Sequence, residues 1–135
     1  MRKTGSEIEN DVFSILKGSS LVAGIRGTIF REGMRPNGAK TEDAIVSFMA
    51  GLDDQIQTGV VNVNIYVPDI SNGSGVLLKN GSRCQELEIL ANGIIQSLIP
   101  GAYRFRLGAT IQTYKAEGID QHFVNCKIKF ELTTF

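Results

Sequence analysis

Two long stretches in the second half of the chain alternate apolar and polar residues at every second position. They read YRFRLGATIQTY from Tyr103 and HFVNCKIKFEL from His122. Alternation with a period of two predicts an antiparallel pair of strands with one buried face and one wet face. Further strands are predicted at about 25–31, 43–50 and 56–67, and the last is the clearest. Its buried face is expected to consist of Val61, Val63, Ile65 and Val67.

Two amphipathic helices are predicted, one near the start of the chain and one between the strands. The first covers 6–17, where Ser6 and Glu9 have the spacing of a capping box. The second covers 82–98, with Ser82 as its N-cap. Apolar residues recur at helical spacing along one face of the second helix: Cys84, Leu87, Ala91, Ile94, Ile95 and Leu98. Both helices are therefore expected to pack on the sheet.

The order of the predicted elements is α-β-β-β-α-β-β. This order predicts an α+β fold, a mostly antiparallel sheet of about five strands with two helices packed on it. Residues 1–135 fit a single domain. Residues 35–43 predict an exposed, mobile loop, because they contain Pro, Asn-Gly and Lys. The connection 71–83 holds three consecutive apolar residues, Val76, Leu77 and Leu78, and either the domain itself or a neighbouring subunit must cover them.

The chain carries no net charge, since fourteen basic residues balance fourteen acidic ones. This balance argues against a dedicated nucleic-acid binder, but it leaves room for a local patch of one sign. Such a patch is predicted on the wet faces of the last two strands, which carry Arg104 and Arg106 and then Lys127 and Lys129. These cations are either solvated residues of a strand face or a surface that faces a partner subunit or passing DNA.

Candidate catalytic groups are few. Cys84 and Cys126 fall on predicted core positions and are expected to be buried free thiols, with a disulfide as the alternative. The single histidine, His122, lies at the start of a strand, where a structural role is expected. The acidic pairs Asp53-Asp54 and Glu42-Asp43 lie in predicted connections and are expected to be solvated turn residues. No metal-binding motif, phosphate-binding loop or secretory signal is found, and no apolar run approaches the roughly 18 residues of a membrane helix.

The order of elements and several segments resemble one protein family. A helix precedes the strand IRGTIFRE and a loop with Pro, and the alternating segment VVNVNIYVPD comes next. The helix ELEILANGIIQSL follows, and the last strand begins in DQHFVNCKIKFEL. From about Ser6 to Phe130, this pattern resembles the tail-completion proteins of long-tailed bacteriophages and prophages, also called tail-terminator or head–tail joining proteins. The chain departs from the family pattern in its long loop 32–43 and its long connection 68–82.

The resemblance implies a structural, non-enzymatic protein that needs no cofactor or metal and does not contact a membrane. Copies of the chain would form a ring, typically a hexamer, in the virion tail after assembly in the bacterial cytoplasm. The ring would contact the tail tube and the head-connector proteins. The candidate residues for the subunit interface are Arg35, Lys40, Val76, Leu77 and Leu78, in loops that are expected to order on assembly. The candidates that would face the lumen and passing DNA are Arg104, Arg106 and Lys129.

Two other functions are compatible with the same pattern. A phage tail tube subunit also uses a sheet-rich domain, but it would polymerise into long tubes rather than stop at a closed ring. A small α+β ligand-binding or enzymatic domain would instead show an enclosed pocket with convergent polar groups around His122 and Tyr114.

Overall fold

A computed structural model describes residues 2–98 and 101–133 of the chain. Three helices and eight strands follow one another in this part: α1 Gly5–Lys17, α2 Leu21–Gly24, β1 Ile29–Arg31, β2 Ala44–Leu52, β3 Ile56–Pro68, β4 Ile70–Ser71, β5 Leu77–Leu78, α3 Gly81–Ser97, β6 Tyr103–Leu107, β7 Gln112–Lys115 and β8 Gln121–Thr133. The predicted α+β class is confirmed. The predicted count of about five strands and two helices is wrong, and so is the predicted order.

Six strands form the main sheet, in the order β1-β2-β3-β8-β6, and β7 also pairs with β8. β3 and β8 form the centre of the sheet, antiparallel over thirteen residue pairs from Ile56–Thr133 to Pro68–Gln121. The other pairings are antiparallel too, except that β1 runs parallel to β2. β4 and β5 make a separate two-stranded hairpin. The sheet is therefore mostly antiparallel, as the alternating pattern predicts.

The helices α1 and α3 cover one face of the sheet. The predicted inward residues of β3 are buried against that face, and so are Val124, Cys126, Ile128, Phe130 and Leu132 of β8. α1 contributes Ile8, Val12 and Leu16, and α3 contributes Cys84, Leu87, Ala91, Ile94 and Ile95. The opposite face carries the polar members of the alternating strands. No helix of the described residues packs on that face.

The helices begin earlier than predicted. α1 is capped by Thr4 rather than Ser6: the Thr4 hydroxyl accepts from the Glu7 amide at 3.3 Å, and the Glu7 carboxylate accepts from the Thr4 amide at 3.0 Å. Both Thr4–Glu7 and Ser6–Glu9 have the capping-box spacing, and the pair nearer the N-terminus allows the longer helix. α3 is capped by the Asn80 side chain, which accepts from the Arg83 amide, and not by Ser82.

Two predicted strands are also wrong in their extent. The strand predicted over 25–31 is only Ile29–Arg31, and the preceding residues include the short helix α2. The strand predicted from Tyr103 is divided into β6 and β7, separated by residues 108–111. The Gly108 amide still bonds to the Lys127 carbonyl at 2.8 Å, but Ala109 is exposed. The sequence keeps its apolar–polar alternation through residues 108–111, so the break between the two strands is not visible from the sequence.

None of the described helices is both long and apolar enough to cross a membrane.

Candidate functional site

Glu42 and Asp43 are buried, which corrects the prediction of solvated turn residues. Only 5% of Glu42 and 2% of Asp43 are exposed. The Glu42 carboxylate accepts from Arg83 twice, at 2.6 Å from Nη2 and 2.9 Å from Nε, and also from the Arg26 amide at 3.1 Å. This bidentate pair joins the loop before β2 to the first turn of α3. The same interaction with Glu42 raises the pKa of Arg83.

Asp43 is enclosed by three donors. Its carboxylate accepts from the Thr41 hydroxyl at 2.7 Å, the Thr28 amide at 2.8 Å and Arg35 Nε at 3.0 Å. Burial alone would raise the pKa of Asp43, but hydrogen bonds from Thr41, Thr28 and Arg35 outweigh it, and the pKa lies below its ordinary value. Asp43 therefore remains a carboxylate that holds the loop, with no proton to donate at neutral pH.

Arg35 anchors the loop 32–43 against the sheet. Its guanidinium also donates to the Thr41 carbonyl at 2.9 Å and to the Gln121 side chain at 3.0 Å, and it stacks 4.6 Å from the Tyr66 ring centroid. Only 10% of the Arg35 side chain is exposed. The expected mobile loop is therefore tethered within the subunit, and Arg35 serves the fold at the rim of the candidate interface.

Loops 32–43 and 68–82 line one groove, together with the turn before β8. Its volume is about 540 Å³, and it brings together Arg35, Lys40 and Leu77 from the candidate interface set. Val76 and Leu78 are exposed on the same hairpin as Leu77. Three of the five candidate residues thus line one groove, and Val76 and Leu78 flank Leu77 on the hairpin beside it.

The β4–β5 hairpin is apolar and exposed. Ile70 pairs with Leu78, Ser71 pairs with Leu77, and the turn between them needs the left-handed backbone of Gly73 and Gly75. Ile70, Val76, Leu77 and Leu78 are all exposed. The domain itself leaves 45–52% of each of these four residues exposed, so it provides only part of the cover expected for them.

Further exposed apolar residues lie near the tip of the β2–β3 hairpin, and the sequence analysis missed them. Met49, Leu52 and Ile56 are exposed there, and Leu52 is 74% exposed. The tip and the β4–β5 hairpin adjoin opposite ends of β3, whose thirteen residues span about 40 Å. A sequence signal was present, because apolar residues flank the Asp53-Asp54 turn where polar residues usually prevail.

The open sheet face carries the predicted cations. Arg104, Arg106 and Lys129 line a groove of about 560 Å³ on β3, β6 and β8, and Glu131 lines it as well. Lys127 lies on the same face by strand alternation. Within the described residues, none of these four cations has a carboxylate within 4.0 Å. The fold thus places these residues on the open face, as strand alternation predicts, and adds that they form no ion pair with another described residue.

His122 is held by a buried carboxylate. Its Nδ1 lies 2.7 Å from Asp69 Oδ1, and the Asp69 side chain is only 4% exposed. Lys115 lies 3.8 Å from the other oxygen of Asp69. Neither His122 nor Tyr114 lines the grooves described above. The arrangement matches the structural role expected of this histidine.

Cys84 and Cys126 are buried and free, which confirms the prediction of core thiols. Burial raises the pKa of Cys126 to about 12 and also raises that of Cys84. Both thiols are therefore protonated at neutral pH and are poor nucleophiles. Within residues 2–98 and 101–133, no group of three His, Cys, Asp or Glu side chains could hold a metal ion.

Comparison with known proteins gives information on the fold only. No protein-family model matches the chain, and no curated protein does. Several solved structures are similar, and one of them has a TM-score of 0.50 and 17% sequence identity, with 93% of this chain and 96% of the other covered. At that identity the similarity shows a shared fold and carries no information on function.

Proposed function

We propose that the protein is a structural subunit of a phage or prophage tail, a tail-completion protein that forms a closed ring and joins the tail to the head. The ring would be a hexamer at the head-proximal end of the tail tube, in contact with the tube and the head connector. The proposal requires neither a cofactor nor an enzymatic step. The single observation that carries it is the pair of different exposed apolar surfaces at opposite ends of β3.

Two different surfaces favour head-to-tail association. An isologous dimer uses one patch twice, whereas a heterologous contact joins two different patches and produces a ring or a filament. The groove end, with Lys40, Val76, Leu77 and Leu78, supplies one surface. The β2–β3 tip, with Leu52 and its neighbours, supplies the other. Exposed apolar clusters on a small domain commonly mark such interfaces.

The same observation is compatible with a tail tube subunit, which is the second candidate. Both proteins would use two different surfaces for contact between subunits. They differ in whether the assembly stops at a closed ring or continues into a tube. Electron microscopy of the purified chain distinguishes them, because a completion protein gives closed rings and a tube protein gives long tubes. The small ligand-binding domain is the weaker alternative, since neither groove is lined by His122 or Tyr114.

The hairpin residues provide a direct test of assembly. Leu77→Asp together with Leu78→Asp should give a folded monomer that no longer assembles, because charge on both leucines prevents burial of the hairpin in a neighbour. Size-exclusion chromatography with light scattering gives the mass, and circular dichroism gives the folded state.

The matched control adds the same two charges on the exposed side of α3, as Ile89→Asp together with Gln96→Asp, and should assemble like the unmodified chain. If the hairpin variant assembles normally, the hairpin is not an interface. If it is insoluble, the two leucines belong to the core.

A further inference from the structure

Half of the basic residues that form no ion pair within the described part of the chain lie together on the open face of the sheet. Fourteen basic residues balance fourteen acidic ones, so the concentration does not follow from composition. Among residues 2–98 and 101–133, six basic residues form ion pairs: Arg2, Lys3, Arg31, Arg35, Arg83 and Lys115. Of the remaining eight, four lie together on the open face of β6 and β8. The alternation of the strands therefore segregates charge in an otherwise neutral protein.

The strand register places two of these cations directly opposite each other. Arg106 pairs with Lys129, and Arg104 pairs with Glu131. Side chains directly opposite on antiparallel strands lie about 5 Å apart at Cβ, and like charges in that position are destabilising. Glu131 is the acidic residue that lines this groove, and it lies beyond 4.0 Å from any basic group of the described residues. The fold thus keeps a like-charge pair that a bound anion would relieve.

We propose that this face binds the phosphodiester backbone of a nucleic acid, with Arg104, Arg106, Lys127 and Lys129 as the phosphate contacts. The inference rests on the proposed function, where DNA passing through the ring is the polyanion that the face would meet. Guanidinium groups contact phosphate oxygens through paired donors, and ammonium groups contribute point charges. Contacts of this kind hold the backbone without reading sequence.

The test is a binding titration of the purified chain with labelled DNA. A duplex of about 20 base pairs and a single strand of the same length are each titrated, with fluorescence anisotropy read between about 50 and 200 mM salt. For the duplex, the logarithm of the affinity should fall with the logarithm of salt concentration, with a slope of about −0.9 for each phosphate neutralised. Arg104→Gln together with Arg106→Gln should weaken binding roughly tenfold or more and flatten that slope by about 2.

Two further variants serve as controls. One tests whether removing any two cations weakens DNA binding, and the other tests whether Lys129 acts through the stability of the fold. Lys17→Gln together with Arg26→Gln removes two exposed cations outside the proposed surfaces and should leave the affinity and the salt slope unchanged. Lys129→Glu places an opposite charge across from Arg106, so it should weaken DNA binding while the melting temperature stays the same or rises. A structural role for Lys129 would instead lower the melting temperature.

Each outcome bears on one proposal. Equal salt slopes for the Arg104/Arg106 and Lys17/Arg26 variants, or no binding to either probe at the lowest salt, would overturn the inference. Tighter binding of the duplex supports contact with packaged DNA. Tighter binding of the single strand supports the same backbone contacts with a single-stranded nucleic acid instead. Electron microscopy of the same samples tests the ring independently. Rings without DNA binding reject the inference alone, and DNA binding without rings rejects the proposed function.

Discussion

At the residue scale, the most consequential feature is the pair of buried carboxylates before β2. Glu42 accepts two hydrogen bonds from Arg83, and Asp43 accepts from Arg35. Burying a charge is costly unless a partner and further hydrogen bonds compensate it, and here both carboxylates have such partners. The sequence did not reveal this network, because the partners of Glu42 lie 16 and 41 residues away and adjacent acidic residues usually mark a solvated turn.

Removing the partner of Glu42 should therefore be strongly destabilising. Arg83→Met leaves a buried carboxylate without its cation, and the free energy of unfolding should fall by about 3–5 kcal/mol. Urea denaturation at neutral pH measures the change.

The matched control is Glu86→Gln. Glu86 also pairs with Arg83, at 3.0 Å, but its side chain is 65% exposed. Exposed pairs contribute only about 0–1 kcal/mol, so this variant should unfold nearly like the unmodified chain. Equal losses in the two variants would contradict the importance assigned to burial.

At the element scale, the alternating strands and the helical faces were predictable, and the connections were not. Period-two alternation predicts correctly that Tyr103, Phe105 and Leu107 lie on the buried face, opposite Leu132, Phe130 and Ile128 of β8. It does not reveal the interruption between β6 and β7, because residues 108–111 keep the alternation although they belong to neither strand. Loops depend on distant partners such as Arg35 and Gln121. Local pattern cannot supply such contacts.

The packing of α3 can be tested by truncating one core residue. Ile94 is 6% exposed and lies in the core beside Ile95. Ile94→Ala should lower the free energy of unfolding by about 2–5 kcal/mol, because it removes buried methylene groups and leaves a cavity.

The control for this variant lies on the same helix. Ile89 is 66% exposed, and Ile89→Ala should change the free energy of unfolding by less than about 0.5 kcal/mol. If Ile94→Ala is no more destabilising than Ile89→Ala, the assignment of the buried face of α3 is wrong.

At the scale of the whole molecule, the subunit carries three separate exposed surfaces, of which two are apolar and one is cationic. The groove end and the β2–β3 tip lie about 40 Å apart along β3. The cations lie on the open sheet face beside residues 58–62 of β3, nearer the β2–β3 tip than the groove end. A ring built by contact between the two ends leaves that face available for a ligand. The proposed function and the further inference are therefore geometrically compatible.

Head-to-tail contact can be tested by cross-linking. A mixture of Leu52→Cys and Leu77→Cys should form a disulfide-linked dimer on mild oxidation, whereas each variant alone should not. The two positions lie near opposite ends of β3, too far apart to join within one chain. The native Cys84 and Cys126 are buried, so the introduced thiols are the ones that react.

A mixture of Leu52→Cys with Ile89→Cys serves as the control and should give little product. Efficient linking of Leu52→Cys to itself would indicate an isologous contact and would contradict the head-to-tail arrangement.

The most direct test of the central claim is electron microscopy of particles from the source phage or induced prophage, with and without this gene. The account predicts that loss of the gene gives filled heads beside unattached tails of abnormal length, and that the intact gene supplied separately restores complete particles. Heads without any tails would indicate a tube or initiator protein. Normal particles without the gene would contradict the proposed role in joining the tail to the head.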